Sequence, residues 1–530
     1  MPDQTRAQRI KSLIEEKRKQ PGIEFPSANI QEHLLIVRAD LAPRPPEQAE
    51  DDVRKQVHLG LKNLCGLFDR IDKGTKKIDE LVQGNLLRTA LSKFNFSATV
   101  GFGIGFFDGL NIPTNKRPKK IRGMPDNVGL GDASHYTLGQ TDLIVQLGSS
   151  KDFVNRWVLE NTLQPQDGMG GEEPSDIVSA IESWATITDV HAGFQRIDGR
   201  NLMGFNDGVS NPRPGSGQSF DEVVWTTEGD EEADLKDGTY MVFQKIEHDL
   251  DQWRSLDVDE QEEWVGRKKT TGLLLGTPEN DDESFIEGLK IGDPEKLNRW
   301  KELLVEQSDP ETRFYDDGKP EHSGIRARVP IWSHVRKANP RQDNGVPRKP
   351  IFRRGYPYVE TSLNGKCHSG LLFVCYQRDI ANGFEFIKKR FFNNKNFPVP
   401  IPRADFNARE LELRHQHGRL SGNELVGIKE DAVVRQQLGL LKNEDFNKAL
   451  EDAGFDPKAD PPKPLTDPKT GERLITDTQN TGREGLAGPS ELGVTPTGEF
   501  LAIVPFGGGY YFVPPIPDRN LANLGEHFFD

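Results

Sequence analysis

Cysteine is scarce in this chain: Cys65, Cys367 and Cys375 are the three in 530 residues. An odd, scattered set excludes a disulfide framework, and its spacing fits neither a zinc site nor a Cys-x-x-Cys-His run that anchors a prosthetic group covalently. Long apolar runs are missing too. Nothing approaches the roughly 18 uninterrupted apolar residues of a membrane span, and the first 20 residues carry charge throughout, without the apolar centre of a signal peptide. A soluble protein of the cytoplasm is therefore expected, with no membrane partner. Basic excess is absent as well: the formal net charge is −15, which argues against a nucleic-acid partner or an anionic membrane surface. Hydrophobic residues make up 34% and charged residues 28%, so polar decoration on a compact centre is expected.

What is present concentrates in two stretches. Ser333–Arg341 places one histidine, His334, among basic residues, and Ile351–Tyr358 adds Arg353 and Arg354 between aromatic residues and proline. A neutral imidazole can ligate a metal, and guanidinium groups nearby can hold the carboxylates of an anionic cofactor. The plain alternative is a hydrogen-bonded histidine in a basic loop. Upstream, Gly204–Pro212 reads GFNDGVSNP; Asn-Asp-Gly and Asn-Pro are turn formers, and on that reading Asp207 only bonds its own backbone.

The periodicity gives a coarse architecture. His33–Arg38 reads as a strand. Glu47–Arg70 reads as a helix, since Val53, Val57, Leu61, Leu64 and Phe68 recur every three or four residues. A second helix is expected over 76–91, strands near 96–103 and 142–147, a helix over 151–163 and a strand over 187–197. That order is a split βαβ, the ferredoxin-like arrangement. A similar order follows, with a strand at Tyr240–Ile246, a helix over 250–265, a strand at Gly370–Gln377, a helix over 381–391 and a strand at Gly509–Val513. The expected fold is α+β, two ferredoxin-like units of the dimeric α+β barrel type. Residues 1–25 form an appendage, 26–236 the first unit and 237–530 the second, with polar insertions near 278–322 and 403–499. His415 and His417 form a His-x-His pair in the latter, with no cysteine or acidic ligand set around it.

The two stretches together resemble the dye-decolorizing peroxidases, a haem peroxidase family with a Gly-x-x-Asp-Gly loop and a downstream histidine ligand. Ala98–Gly103, Asp142–Gln146, Asp237–Tyr240, Gly266–Lys268, Gly370–Phe373 and Gly509–Pro515 also resemble family segments, in family order. The resemblance implies one non-covalent b-type haem (heme b) per chain with His334 as axial ligand, Glu385 as acceptor for the other ring nitrogen, and Arg336 and Arg341 on the propionates. It implies Asp207 as proton shuttle, Arg353 rather than Arg354 as the distal cation, and Leu371 and Phe373 as the apolar wall. The implied reaction reduces hydrogen peroxide and oxidises phenolic, aromatic or dye-like donors, with Trp332, Tyr356 and Tyr358 near enough to carry electrons. The alternatives are a haem-binding or haem-delivery protein with little catalysis, and a haem-free binding protein. Gly355, Val329, Val359 and Phe391 stand where many family members have Asn, Cys, Gly and Trp, which bears on the pocket mouth and substrate range.

Overall fold

The computed structural model describes residues 31–83, 96–125, 138–150, 176–196, 198–206, 209–212, 220–308, 333–339, 349–361, 367–392, 503–517 and 521–529, with a few isolated positions besides. In chain order the first unit holds β1 (His33–Leu41), α1 (Glu50–Gln83), β2 (Ser97–Phe102), α2 (Ile104–Gly109), β3 (Leu143–Ser149), α3 (Ile177–Glu182) and β4 (Ala185–Phe194). The second holds α4 (Phe220–Val224), β5 (Thr239–His248), α5 (Leu250–Ser255), α6 (Val258–Val265), α7 (Glu283–Ile291), α8 (Pro294–Ser308) and α9 (His334–Ala338). There follow β6 (Phe352–Arg353), β7 (Tyr356–Thr361), β8 (Cys367–Gln377), α10 (Phe384–Phe386) running into a π-helix at Ile387–Phe392, the short β9 to β12 (Phe455–Asp456, Lys463–Pro464, Val494–Thr495, Gly498–Glu499), and β13 (Ile503–Val513).

The main sheet runs β4-β1-β3-β2-β13-β5-β8, with β6 and β7 both on β8. Within each unit the spatial order of its four strands is fourth, first, third, second: β4-β1-β3-β2, then β13-β5-β8-β7. The fold is α+β with two ferredoxin-like units. One residue pair, Phe102 with Phe512, joins the two half-sheets. At the other seam β4 lies against β7 so closely that a Cβ on Gly193 would stand 2.7 Å from that of Tyr356. Alternation along the strands gives two cores. Leu34, Ile36, Met241, Phe243, Leu372 and Val374 pack inside, between the half-sheets. Leu35, Val37, Val100, Val242 and Cys375 face the helical layers.

Helix α1 follows its apolar spacing, with Val57, Leu61, Leu64 and Phe68 all buried. It is one helix to Gln83 where two were expected, because no proline interrupts 71–83 and the helix tolerates Gly74. The expected 250–265 helix is split into α5 and α6, with Asp257 capping the second through a capping box with Glu260. The acidic stretch after 278 is more than decoration: α7 and α8 bury Phe285 and Leu303 against Leu273. The 151–163 helix and nearly all of 403–499, with His415 and His417, lie outside the described residues. Among the described residues no helix is long and apolar enough to cross a membrane.

Candidate active site

A cavity lies on the outward face of the second half-sheet, lined by the 201–210 loop, the end of α6, α9, residues 349–353, Phe373 of β8 and the helical turn from Phe384 to Lys388. It gives the centre of a water-sized sphere about 190 Å³. About 10–15 Å³ suffices for one water, so this is space for a ligand. Met203, Phe205, Val265, Ile351, Phe373 and Phe384 make much of the wall apolar, while Arg267, Lys349, Arg353 and Lys388 also line it and no described lining residue is a carboxylate.

His334 opens α9 and lines this cavity. Two local features seat it. Gly266 ends α6 with φ +90°, and a Cβ there would come within 2.5 Å of Val335 and 2.7 Å of Ser333 Oγ; only glycine adopts that backbone and allows the approach. Arg336, buried, donates from Nη1 to the Val329 carbonyl at 2.7 Å, bracing the chain before the helix. Burial first, then the charges of Arg353, Arg267 and Lys388, push the His334 imidazole down to about 3. It is therefore neutral at physiological pH, the form in which a ring nitrogen can ligate a metal.

Arg353 reaches the same cavity from β6. Strand alternation sends Arg354 the other way, into the space between the half-sheets, where its Nη2 donates to Gln31 Oε1 at 2.5 Å and to Tyr356 Oη at 3.1 Å. Tyr356 and Tyr358 are fully buried on that inner side and do not line the cavity. The Asp207 loop approaches Arg353 through Asn211, whose Nδ2 donates to the Arg353 carbonyl at 2.7 Å while its Oδ1 accepts from the Arg353 N–H at 3.1 Å. Asn206, Val209 and Ser210 line the cavity. Asp207 itself lies outside the described residues, as do Arg341 and Trp332.

Of the expected site residues, the cavity brings together His334, Arg353 and Phe373. Leu371 sits two residues along β8 and is not in the lining. Arg336 is not either; its guanidinium serves the backbone at Val329. Glu385 is buried, but its carboxylate is held by Arg122, with Nε at 3.1 Å and Nη2 at 2.7 Å, and by Lys389 at 3.3 Å. The imidazole is not among its partners, which corrects the expectation that Glu385 orients His334. Sequence reasoning missed Arg267, Lys349 and Lys388 as cavity cations and Asn211 as a bridge. Arg267 stood in a quoted segment without a role, and Asn211 was read as a turn former.

Residues 198–397 match the family model described as Dyp-type peroxidase, C-terminal. The chain is similar to the deferrochelatase of Shigella flexneri serotype 5b (strain 8401), 27% identical over 310 residues, covering 56% of this chain and 61% of that protein. It is also similar to the deferrochelatase of Yersinia pestis bv. Antiqua (strain Nepal516), 31% identical over 192 residues, or 36% of each. It thus spans less than two thirds of the length of these curated relatives. Among solved structures, the oxyferrous/water mixed complex of DtpA from Streptomyces lividans superposes with a TM-score of 0.50 at 19% identity, covering 97% of this chain and 96% of that one. That likeness speaks to the fold, and the described units agree with it. Over residues 198–397, then, the chain is similar to the C-terminal domain of the Dyp-type peroxidases.

Proposed function

We propose that the protein is a haem-dependent peroxidase that reduces hydrogen peroxide and oxidises phenolic, aromatic or dye-like donors. One observation carries the reading: a cavity with largely apolar walls brings the neutral imidazole of His334 together with Arg267, Lys349, Arg353 and Lys388. Guanidinium and ammonium groups beside an apolar wall suit a ligand with an apolar body and an anionic edge. A non-covalent haem b is such a group, and it would supply an iron centre able to exchange electrons with peroxide.

In this reading His334 would hold the iron through a ring nitrogen. Arg267, Lys349 and Lys388 supply charge for the carboxylates, together with Arg341, while Phe373 walls the ring. Asp207 takes the proton from one peroxide oxygen and returns it to the other, which leaves as water, acting first as base and then as acid. Arg353 stabilises the negative charge that develops as the O–O bond parts and favours the ionised form of Asp207. Leu371, one step along β8, extends the apolar wall toward bulkier donors.

The test is the visible spectrum of the purified or haem-reconstituted protein before and after one equivalent of peroxide. A Soret band that shifts with peroxide, is altered by His334→Ala and is lost on extraction with acidified organic solvent is expected. A Soret band indifferent to peroxide identifies a haem carrier instead, and a spectrum unchanged by His334→Ala moves the ligand elsewhere.

A further inference from the structure

Among the described strands the two-residue β6 has one neighbour: Phe352 and Arg353 register against Tyr376 and Cys375 of β8, and the Arg354 N–H donates to the Val374 carbonyl at 2.7 Å. The N–H and C=O of Arg353 point to the opposite edge, where a further strand would lie. The side chain of Asn211 stands there instead and meets both groups, at 3.1 and 2.7 Å. A primary amide carries a donor and an acceptor in one plane and so imitates a peptide unit. The following Pro212 biases Asn211 toward an extended backbone, in keeping with a strand-like reach.

The loop that carries Asn211 is fastened elsewhere to other partners. Ser210 Oγ accepts from Arg267 Nη2 at 3.1 Å, Arg200 Nη1 donates to the Gly204 carbonyl at 2.7 Å, and Asn201 Oδ1 accepts from the N–H groups of Met203 and Phe205, each at 3.1 Å. None of these reaches β6. Asn211 does, and it does so through the backbone of the residue whose side chain enters the cavity.

We propose that Asn211 is a positioning residue that fixes Arg353 against the cavity-lining loop at Asn206, Val209 and Ser210, so that the distal cation and the loop keep one spacing. The inference rests on the peroxidase reading for its consequence and on the hydrogen bonds alone for its geometry. Asn211→Ala removes both bonds. Asn211→Asp keeps the acceptor for the Arg353 N–H but sets a carboxylate oxygen against its carbonyl.

Two measurements test it. The first is the association rate of cyanide with the ferric haem protein across pH, because hydrogen cyanide must give its proton to a distal base before the anion binds. With haem retained, Asn211→Ala is expected to slow association on the order of 10–100-fold and to move the pH midpoint, with Asn211→Asp intermediate. Wild-type rate and midpoint in Asn211→Ala would overturn the proposal; if that variant does not fold, wild-type cyanide kinetics in Asn211→Asp would do so. The second is hydrogen exchange at the Arg353 amide, which needs no haem and is expected to quicken in Asn211→Ala while Arg354 stays protected. A wild-type protein that takes up no haem defeats the peroxidase reading alone, and unchanged exchange at Arg353 then defeats the clamp.

Discussion

The space between the half-sheets and the outer face of the second hold charge in different company. On the inner face, between the units, Arg38 lies 3.5 Å from Asp189, Asp189 lies 3.0 Å from His191 Nε2, and Glu360 meets Lys245 at 2.5 Å and His191 Nδ1 at 3.4 Å. Arg38 and Lys245 each lie by a carboxylate there, while Arg354 is held by Gln31 and Tyr356. Burial alone would raise both acids, but His191 and Arg38 bring Asp189 below the usual range, and His191 and Lys245 bring Glu360 down to about 2. On the outer face Arg267, Lys349, Arg353 and Lys388 line a cavity without a described carboxylate. Charge paired inside the sheet builds structure, whereas cations gathered on a cavity wall can meet a ligand.

The strongest way to break this contrast is at the cavity. Arg353→Leu is expected to slow the peroxide step about 10²–10⁴-fold while haem stays bound, read by stopped-flow absorbance. A rate near wild type would assign the cavity's positive charge to binding alone. On the inner face the effect falls on stability. Asp189→Asn leaves Arg38, wholly buried, without its carboxylate, and up to about 3 kcal/mol is expected to be lost in urea unfolding, with the Soret band unchanged. A shifted Soret band would mean that the two faces are coupled.

A third test sharpens the comparison through pH. Burial pushes His248, at the end of β5, down to about 4, against about 6.5 in an unfolded chain. The unfolded state therefore binds the extra proton between those values. The contribution of His248 is full above pH 6.5 and lost as pH falls toward 4, by at most about 1.4 kcal/mol per pH unit. Glu360 works in a lower window: its folded value is depressed, so its contribution is present above about 4.5 and lost as pH falls through about 2. Thermal melts of His248→Leu are expected to show a shallower fall in Tm between pH 6.5 and 4, with the steeper fall below that range intact. Equal slopes for variant and wild type would remove His248 from the first window.

Much of the fold was legible because strands β1, β3, β5 and β8 carry short, nearly continuous apolar runs and α1 carries a three-and-four pattern. Strands β6 and β7 were not legible. Gly355 and Pro357 read as punctuation, yet Pro357 is tolerated because β7 pairs with β8 alone within the sheet. The pairing with β8 turns Arg353 to the cavity and Arg354 to the space between the half-sheets. Arg336 and Glu385 show the limit of such reading. Sequence reports a charge and its neighbours along the chain, but their partners, Val329 through a backbone carbonyl and Arg122 from 263 residues away, exist only in the fold. Asn211 escaped for the same reason: a turn-forming residue and a strand mimic have the same letter.

The joining strand β13 has a bearing on the order in which this protein can be built. It lies between β2 and β5 in the sheet, yet it comes after more than a hundred residues that follow β8 in the chain. While the ribosome is still translating the stretch before it, the first unit already has all four of its strands, whereas the second has an open edge along β5, with Met241 and Phe243 on one side and Val242 on the other. Such an edge is a template for pairing with another nascent chain. Between the synthesis of β8 and that of β13, the second unit is the half most exposed to misassembly.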